Sequence, residues 1–453
     1  IRGHSIRFCP AVSPEFQLEG DSKMAVSVDR YVPEMIATRR RIHKRPELGW
    51  TEFETTAIVA KKLTELGFEI HLGREVVNPD AVLGRDPKAV EAAITRAREA
   101  GVPEELLSRM DGYTGCVGIL DTGRPGPTLA FRHDMDALPI QEITDPASDH
   151  LPAREGFAST FKGKMHACGH DSHTAVGLGV AHWLADNKDR LCGRIKLIFQ
   201  PSEEGTRGAG AMVAAGVVDD VDWFFGAHVG VTAKTGHIQL CADGYLATTK
   251  FDVNFTGIQS HAGAKPEAGR SALLAAANAA IMLNAISRTS EGDTRVSVGR
   301  LDAGEGRNIT PAHAHMECEV RGSTHEANEF MFSRAQEVVK GAADMLGVKY
   351  DLIKTGQATT LVTTPEAMET MRKAAEAVPG VTVEDIHHCG GSEDCTLFMR
   401  RVAEHGGNPG FFLFGCENKG HHRPDFDIQD TVNLKPGFEV FTNIATAVCG
   451  RKD

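Results

Sequence analysis

The 453-residue chain lacks any apolar run long enough to cross a bilayer. Its longest, Ala272 to Ile286, is broken by Asn278 and Asn284 and bounded by Arg270 and Arg288, so it reads as a buried helix and argues against a membrane partner. Basic charge is in deficit. Forty-nine Lys and Arg against 61 Asp and Glu give a formal net charge of −12 and a pI near 5.9, which argues against nucleic acid as the main partner. The 10 cysteines lack the close, regular spacing of a secreted disulfide framework, and several, such as Cys192 and Cys318, sit in apolar runs. A reducing, cytoplasmic setting fits that usage best. There is no Gly-x-Ser-x-Gly elbow and no Walker loop, which lowers the case for serine hydrolysis and phosphoryl transfer. Residues 1–23, ahead of Met24, show neither a signal-peptide pattern nor a sustained period and read as an appended, vector-derived tail.

What is present is enough apolar sequence, 41%, for a large core divided over two or three domains. Val32 to His43 and Thr55 to Leu66 have helical spacing, with Gly67 as a stop, and Pro87 to Met110 reads as a charged helical pair inserted at the surface. Strands at Cys116 to Leu120, Thr128 to Arg132, Arg194 to Gln200 and Trp223 to Ala227 alternate with the helix Thr174 to Ala185, which indicates an α/β layer over residues 24–243. From 244 to 356 the texture changes. Strand Phe251 to Phe255, helix Arg270 to Ser287, strands Arg295 to Leu301 and Ala314 to Val320, helix Glu326 to Leu346 and strand Tyr350 to Lys354 spell a β-α-β-β-α-β, ferredoxin-like split motif, an inserted α+β domain. Residues 357–453 return to the α/β layer, with strand Gly410 to Phe414 and a closing helix from Pro436.

The densest chemistry lies in Met165-His166-Ala167-Cys168-Gly169-His170-Asp171-Ser172-His173. Cys168 and His170 stand two apart, a spacing that points both donors at one cation from a tight turn that Gly169 makes possible. Glu203 and Glu204, His228, and His421 or His422 fall in other strand-end loops, where catalytic groups of open α/β sheets collect. Adjacent glutamates diverge, so one can hold metal while the other stays free as a base. Alone, each has an ordinary structural explanation: a Glu-Glu pair is usually a solvated face, and a lone His or Cys is usually packed or hydrogen-bonded. Their coincidence in one layer carries the argument. His166 and His173 read as supporting residues.

Met165-His166-Ala167-Cys168-Gly169-His170-Asp171, Pro201-Ser202-Glu203-Glu204-Gly205, Gly226-Ala227-His228 and His422-Arg423-Pro424-Asp425-Phe426 resemble the motifs of the M20 metallopeptidases, specifically the subfamily D amidohydrolases. The resemblance extends from about Arg39 to the C-terminus and implies a mixed-sheet catalytic domain of di-metal exopeptidase type with an inserted lid or dimerisation domain. It implies Cys168, His170, Glu204, His228 and His422 as ligands of two divalent metals, Mn2+ or Zn2+, and Glu203 as general base. His421 and His422 are neighbours, and the spacing to Pro424 and Phe426 favours His422. Asp134-Met135-Asp136 stands where the wider family has His-x-Asp, and Cys168 where it has a bridging Asp; Asp136 is expected to orient a ligand from behind. By the same resemblance His261, in Ser260-His261-Ala262-Gly263, polarises the scissile carbonyl, while Asn308 and Arg321 hold a substrate carboxylate, roles that suit an imidazole, an amide and an Arg fork. Gly390-Gly391-Ser392-Glu393-Asp394 resembles a further loop near the site.

The expected reaction is hydrolysis of the amide of an N-acyl amino acid. Within the subfamily the Pro87 to Met110 insertion, His43 to Glu52 and Gly420-His421-His422 resemble the A-type p-aminobenzoyl-glutamate hydrolases, implying an aromatic acyl group on an acidic amino acid. Indole-3-acetyl-amino-acid hydrolases are the rival, with indole-3-acetyl-aspartate as substrate. A homodimer is expected, with His261 acting in cis or in trans; a hetero-oligomer with a related partner chain, in which this chain is catalytically idle, is the other assembly to weigh.

Overall fold

The computed structural model describes residues 28–387, 389 and 391–451; the proposed tail at 1–23 lies outside them. In chain order the elements are α1 (Val32–His43), α2 (Phe53–Glu65), β1 (Glu69–Leu72), α3 (Pro87–Glu99), α4 (Glu104–Met110), β2 (Cys116–Asp121), β3 (Thr128–Asp134), α5 (Leu151–Arg154), α6 (His170–Asp186), β4 (Arg194–Gln200), α7 (Ala209–Ala214) and β5 (Trp223–Val229). They continue with β6 (His237–Cys241), β7 (Ala247–Thr256), α8 (Ala272–Asn284), β8 (Thr294–Ala303), β9 (His313–Gly322), α9 (His325–Leu346), β10 (Lys349–Ala358), α10 (Pro365–Glu376), β11 (Thr382–Ile386), α11 (Cys395–Glu404), β12 (Asn408–Phe414) and α12 (Asp430–Cys449).

Eight strands form a mixed sheet in the order β1-β2-β4-β3-β5-β12-β6-β11. Alternate residues of its central strands face opposite layers. Phe131, Phe225 and Phe412 pack into a core with residues of α1, α6 and α12, while Ala130, Phe224 and Phe411 pack into a second core with residues of α3, α7 and α11. Coverage on both faces explains the nearly unbroken apolar runs of β5 and β12. Strands β4, β3, β5 and β12 run parallel to one another, so their C-terminal ends open along one edge, where Asp134-Met135-Asp136, Glu203-Glu204, His228 and the loop to His422 lie at or just beyond those ends.

The second sheet is antiparallel, in the order β10-β7-β9-β8, the 4-1-3-2 order of the expected split motif. Phe251, Val253 and Phe255 of β7 face α8 and α9, whereas Lys250, Asp252 and Asn254 line the uncovered face. Helix α8 is shorter than its periodicity predicts because Ser271 caps it, its side chain accepting from the Leu274 N–H at 3.2 Å. The closing helix begins at Asp430, earlier than the proline suggests, and Pro436 lies inside it. Its first turn is anchored from outside by Arg39 and Arg40, which both bond Asp430 and offset the hydrogen bond that the proline removes. No described helix is long and apolar enough to cross a membrane.

Candidate metal centre

At the open edge of the parallel strands, Gly169 holds φ +96° as the residue before α6, and a Cβ there would meet Val229 Cγ1 at 2.4 Å. Only glycine allows both the turn and that closeness, and the result places Cys168 and His170 on either side of it. Cys168 Sγ lies 3.4 Å from His228 Nε2. Donor atoms of Cys168, Glu204 and His422 fall within 4.8 Å of one another, as do those of His170, Glu203 and Glu204, and those of His170, His173 and His228. The five expected ligands therefore form one continuous cluster, with the expected base beside it.

Hydrogen bonds decide which nitrogens are free. His228 Nδ1–H donates to the Val229 carbonyl at 2.8 Å, which leaves Nε2 with a lone pair facing Cys168. His173 uses both ring nitrogens, Nδ1 on Asp134 at 2.5 Å and Nε2 as acceptor of the Val229 N–H at 2.8 Å, so it supports the site from behind. His421 Nε2 accepts the Val231 N–H at 2.9 Å, so the ring proton sits on Nδ1 and points at Cys168 Sγ, 3.5 Å away. That ring is a hydrogen-bond donor to sulfur, with no lone pair left for a cation. Its neighbour His422, held at φ +61° by its N–H on the Ala167 carbonyl, puts Nε2 3.4 Å from Glu204 Oε1.

Two observations test whether these residues fit divalent cations. Among the described residues His170 Nε2 is buried without a hydrogen-bond partner, and Glu204 Oε1 has only the long approach of His422 Nε2 at 3.4 Å, a costly state for polar atoms unless a ligand satisfies them. The donor set, a thiol, imidazoles and carboxylates, also suits Zn2+ or Mn2+ rather than a closed structural Cys site. The residues fit. Burial, with Glu204 adding to it, pushes the Cys168 thiol well up; burial, then Glu393, Glu204 and Asp394, raise the Glu203 carboxyl well above its ordinary range. Burial also pulls His170 down, but Asp134, Cys168 and the Asp136 hydrogen bond raise it overall, while burial and His173 hold His228 well below its usual value. Positive charge placed among the donors would favour the thiolate and both carboxylates.

Asp136 sits beneath the cluster. One oxygen accepts the Glu203 N–H at 3.0 Å and faces His170 Nδ1 at 3.2 Å, and the other accepts the Glu204 N–H at 2.9 Å. Sequence reasoning left three supporting groups unread. Glu52 accepts the Ser202 N–H at 2.8 Å and fixes the glutamate loop. Arg132 bonds Asp134, Glu393, Asp394 and Gln200 in the buried floor. Arg39, fully buried, pairs with Asp171, Asp427 and Asp430 behind the turn. The Asp171 in the central motif was the available signal for the last, and the Glu393-Asp394 loop for the second; Glu52 closes the His43 to Glu52 segment, which carried a resemblance but no hint of its contact with Ser202.

The inserted unit places its expected residues differently. Arg321 lies at the end of β9 nearest the cluster, where Leu246 N–H donates to Gly391 and Gln357 N–H to Thr206. His261 and Asn308 lie together beyond the opposite end of the sheet, joined by the bridge of His261 with Ile309 and the bond from Ala262 N–H to the Asn308 carbonyl. Ten residues of β9 separate the two places, about 30 Å of extended chain. Arg321 is gripped by Glu319, with Nε to Oε1 at 2.5 Å.

Residues 130–447 match the model of Peptidase family M20/M25/M40, 318 residues of the chain. The chain belongs to that family. It is 50% identical over 410 residues to the indole-3-acetyl-aspartic acid hydrolase of Enterobacter agglomerans, covering 89% of this chain and 94% of the relative. It is 47% identical to a p-aminobenzoyl-glutamate hydrolase chain of Escherichia coli, with the same coverage. Among solved structures, the aminobenzoyl-glutamate utilization protein of Klebsiella pneumoniae superposes with a TM-score of 0.80 at 42% identity, covering 93% of this chain and 98% of that one. The Bacillus subtilis YXEP protein, described as a dinuclear metal binding peptidase of the M20 family, gives a TM-score of 0.64 at 26% identity over 93% of this chain and 99% of that one.

Proposed function

We propose that this M20 protein is a cytoplasmic, metal-dependent amidohydrolase that cleaves an N-acyl amino acid, with an aromatic acyl group on an acidic amino acid. The observation that carries the reading is the convergence of Cys168, His170, Glu204, His228 and His422 in one cluster, with the buried His170 Nε2 unpartnered among the described residues and Glu203 alongside. Two divalent cations, Mn2+ or Zn2+, would supply the acidity that activates water and polarises the amide carbonyl. Glu203 takes the proton of the attacking water and passes it to the departing amine. Asp136 holds Glu203 and Glu204 in register through its two accepted N–H bonds and keeps His170 turned toward the cluster.

His261 polarises the scissile carbonyl and, with Asn308, comes from a second copy of the chain, since their own strand carries them to the far end of the inserted sheet. A homodimer is supported by the apolar residues exposed on α8 and on β8, namely Leu274, Ile281, Met282 and Leu301. Arg321, with the partner's amide, holds the α-carboxylate that every N-acyl amino acid presents. Nine free cysteines and no disulfide among the described residues accord with a cytoplasmic setting.

Both p-aminobenzoyl-glutamate and indole-3-acetyl-aspartate fit this class, the second favoured by the 50% identical relative. A hydrolysis screen with the purified chain, varying acyl group and amino acid separately and supplying manganese and zinc in turn after chelation, tests the reading. Turnover of both amides that disappears with chelator is expected; no turnover by the purified chain alone would point to an idle member of a hetero-oligomer.

A further inference from the structure

Arg207, three residues beyond Glu204, has a guanidinium that the mechanism above leaves unused. Its side chain folds back over its own loop. A Cβ on Gly205 would lie 2.6 Å from Arg207 Nε and 3.0 Å from Nη2, and one on Gly84 would lie 2.9 Å from Cδ. The head group therefore rests between the loop that carries Glu203 and Glu204 and the segment that leads into α3. That second wall is fixed, because the Trp50 indole N–H donates to the Leu83 carbonyl at 2.8 Å.

Unlike Arg39, Arg132 and Arg321, Arg207 has no carboxylate partner among the described residues, a state it shares with Arg85, whose Nη2 instead donates to the Gly112 carbonyl. Arg39 and Arg132 each meet three, and Arg321 is gripped by Glu319, whereas Arg207 Nε is buried without a hydrogen-bond partner among the described residues. Asp252, on the uncovered face of the second sheet, feels the charge from beyond ion-pair distance. Burial raises its carboxyl, His315 opposes that, Glu317 adds to it and Arg207 lowers it least, for a net rise, so Asp252 is a poor counter-ion. A guanidinium packed against the loop that carries Glu203 and Glu204, with a buried donor left over, matches an anion brought by the substrate.

We propose that Arg207 binds the side-chain carboxylate of an acidic amino acid in the leaving half of the substrate, through Nε and Nη2. The inference rests on the amidohydrolase reading above. It divides the labour between two arginines: Arg321 serves the α-carboxylate common to all substrates, and Arg207 selects among them. Gly84 and Gly205 let the guanidinium lie this close to both walls, since a side chain on either would collide with it.

The test compares kcat/KM for two acid and amide pairs, p-aminobenzoyl-glutamate against p-aminobenzoyl-glutamine and indole-3-acetyl-aspartate against indole-3-acetyl-asparagine, in the wild-type holoenzyme, Arg207→Gln, Arg207→Lys and Asp252→Asn. The acid-to-amide ratio is expected to fall about 10- to 100-fold in Arg207→Gln, as loss of a charge-assisted pair implies, and less in Arg207→Lys. Turnover of the amide substrates within each variant reports a folded catalyst. Equal loss on acid and amide would assign Arg207 a structural role and overturn the inference, as would the same fall in Asp252→Asn, which would make that pair the cause. A wild-type enzyme that ignores the charge would instead overturn the acidic-substrate reading itself.

Discussion

The strand-end cluster and the outer end of the second sheet are held in opposite ways. Around the cluster the supporting side chains are fixed by other groups of the same chain: Asp136 by two N–H donors, His173 at both nitrogens, Arg132 by three carboxylates. His261 is exposed and its Nδ1 meets only the N–H groups of Gly263 and Ala264 in its own turn, and Asn308 is likewise exposed. The supporting frame of the first region is complete within one folded chain. The second carries the residues proposed for recognition away from the cluster of their own chain, the arrangement that the proposed homodimer would complete.

The sharpest break in that comparison is Glu203→Gln. It keeps the ligand set and is expected to retain bound metal by elemental analysis while kcat falls about 10³-fold, within the range for a lost general base. Near-normal turnover would remove Glu203 from the role. Next in size, Arg39→Met leaves Asp171, Asp427 and Asp430 without their shared cation and is expected to cost about 3–5 kcal/mol of stability in denaturant titration. A smaller change would mean that the three acids find other partners.

His261→Ala addresses the outer region and is expected to lower kcat about 10²-fold with metal content unchanged. Mixing it in equal amounts with Glu203→Gln after exchange of protomers should restore about a quarter of wild-type activity, because half of the dimers then hold one intact site. No restoration would place His261 in its own chain's site.

The smallest effect is pH-dependent. Burial and Arg39 push the buried His43 down, but hydrogen bonds to Asp171 and Glu142 outweigh them and raise it to about 9. A histidine raised from 6.5 in the unfolded chain stabilises the fold fully below that pH, and its contribution fades as pH rises toward 9. Stability should therefore fall by at most about 1.4 kcal/mol per pH unit across that window, and His43→Gln should flatten the slope in urea titrations at a series of pH values. An unaltered slope would show that His43 does not titrate there.

The sequence made the cluster legible because its members share strand-end loops, and short-range spacing sets what a loop can present. Periodicity likewise exposed the split motif of the second sheet, whose apolar alternation in Phe251, Val253 and Phe255 is local. What stayed hidden depends on distance. Glu52 reaches Ser202 across 150 residues, and Arg39 reaches Asp430 across 391, so no window along the chain contains either pair. The same long-range anchoring hid the start of α12, where Pro436 suggested a beginning that Arg39 and Arg40 had moved upstream. For His422 over His421 the spacing to Pro424 and Phe426 was the signal in the sequence, and the Val231 N–H on His421 Nε2 is a further argument that only the folded loop presents.

The double grip of Asp136 on successive backbone N–H groups has a mechanical consequence. Glu203 and Glu204, the proposed proton acceptor and the proposed cation ligand, ride on one peptide segment pinned to a single carboxylate, so a shift of that segment moves both together and preserves the gap between them. Breathing of the sheet would then translate the working pair without detuning it, and a substitution that frees either N–H would let the two drift independently.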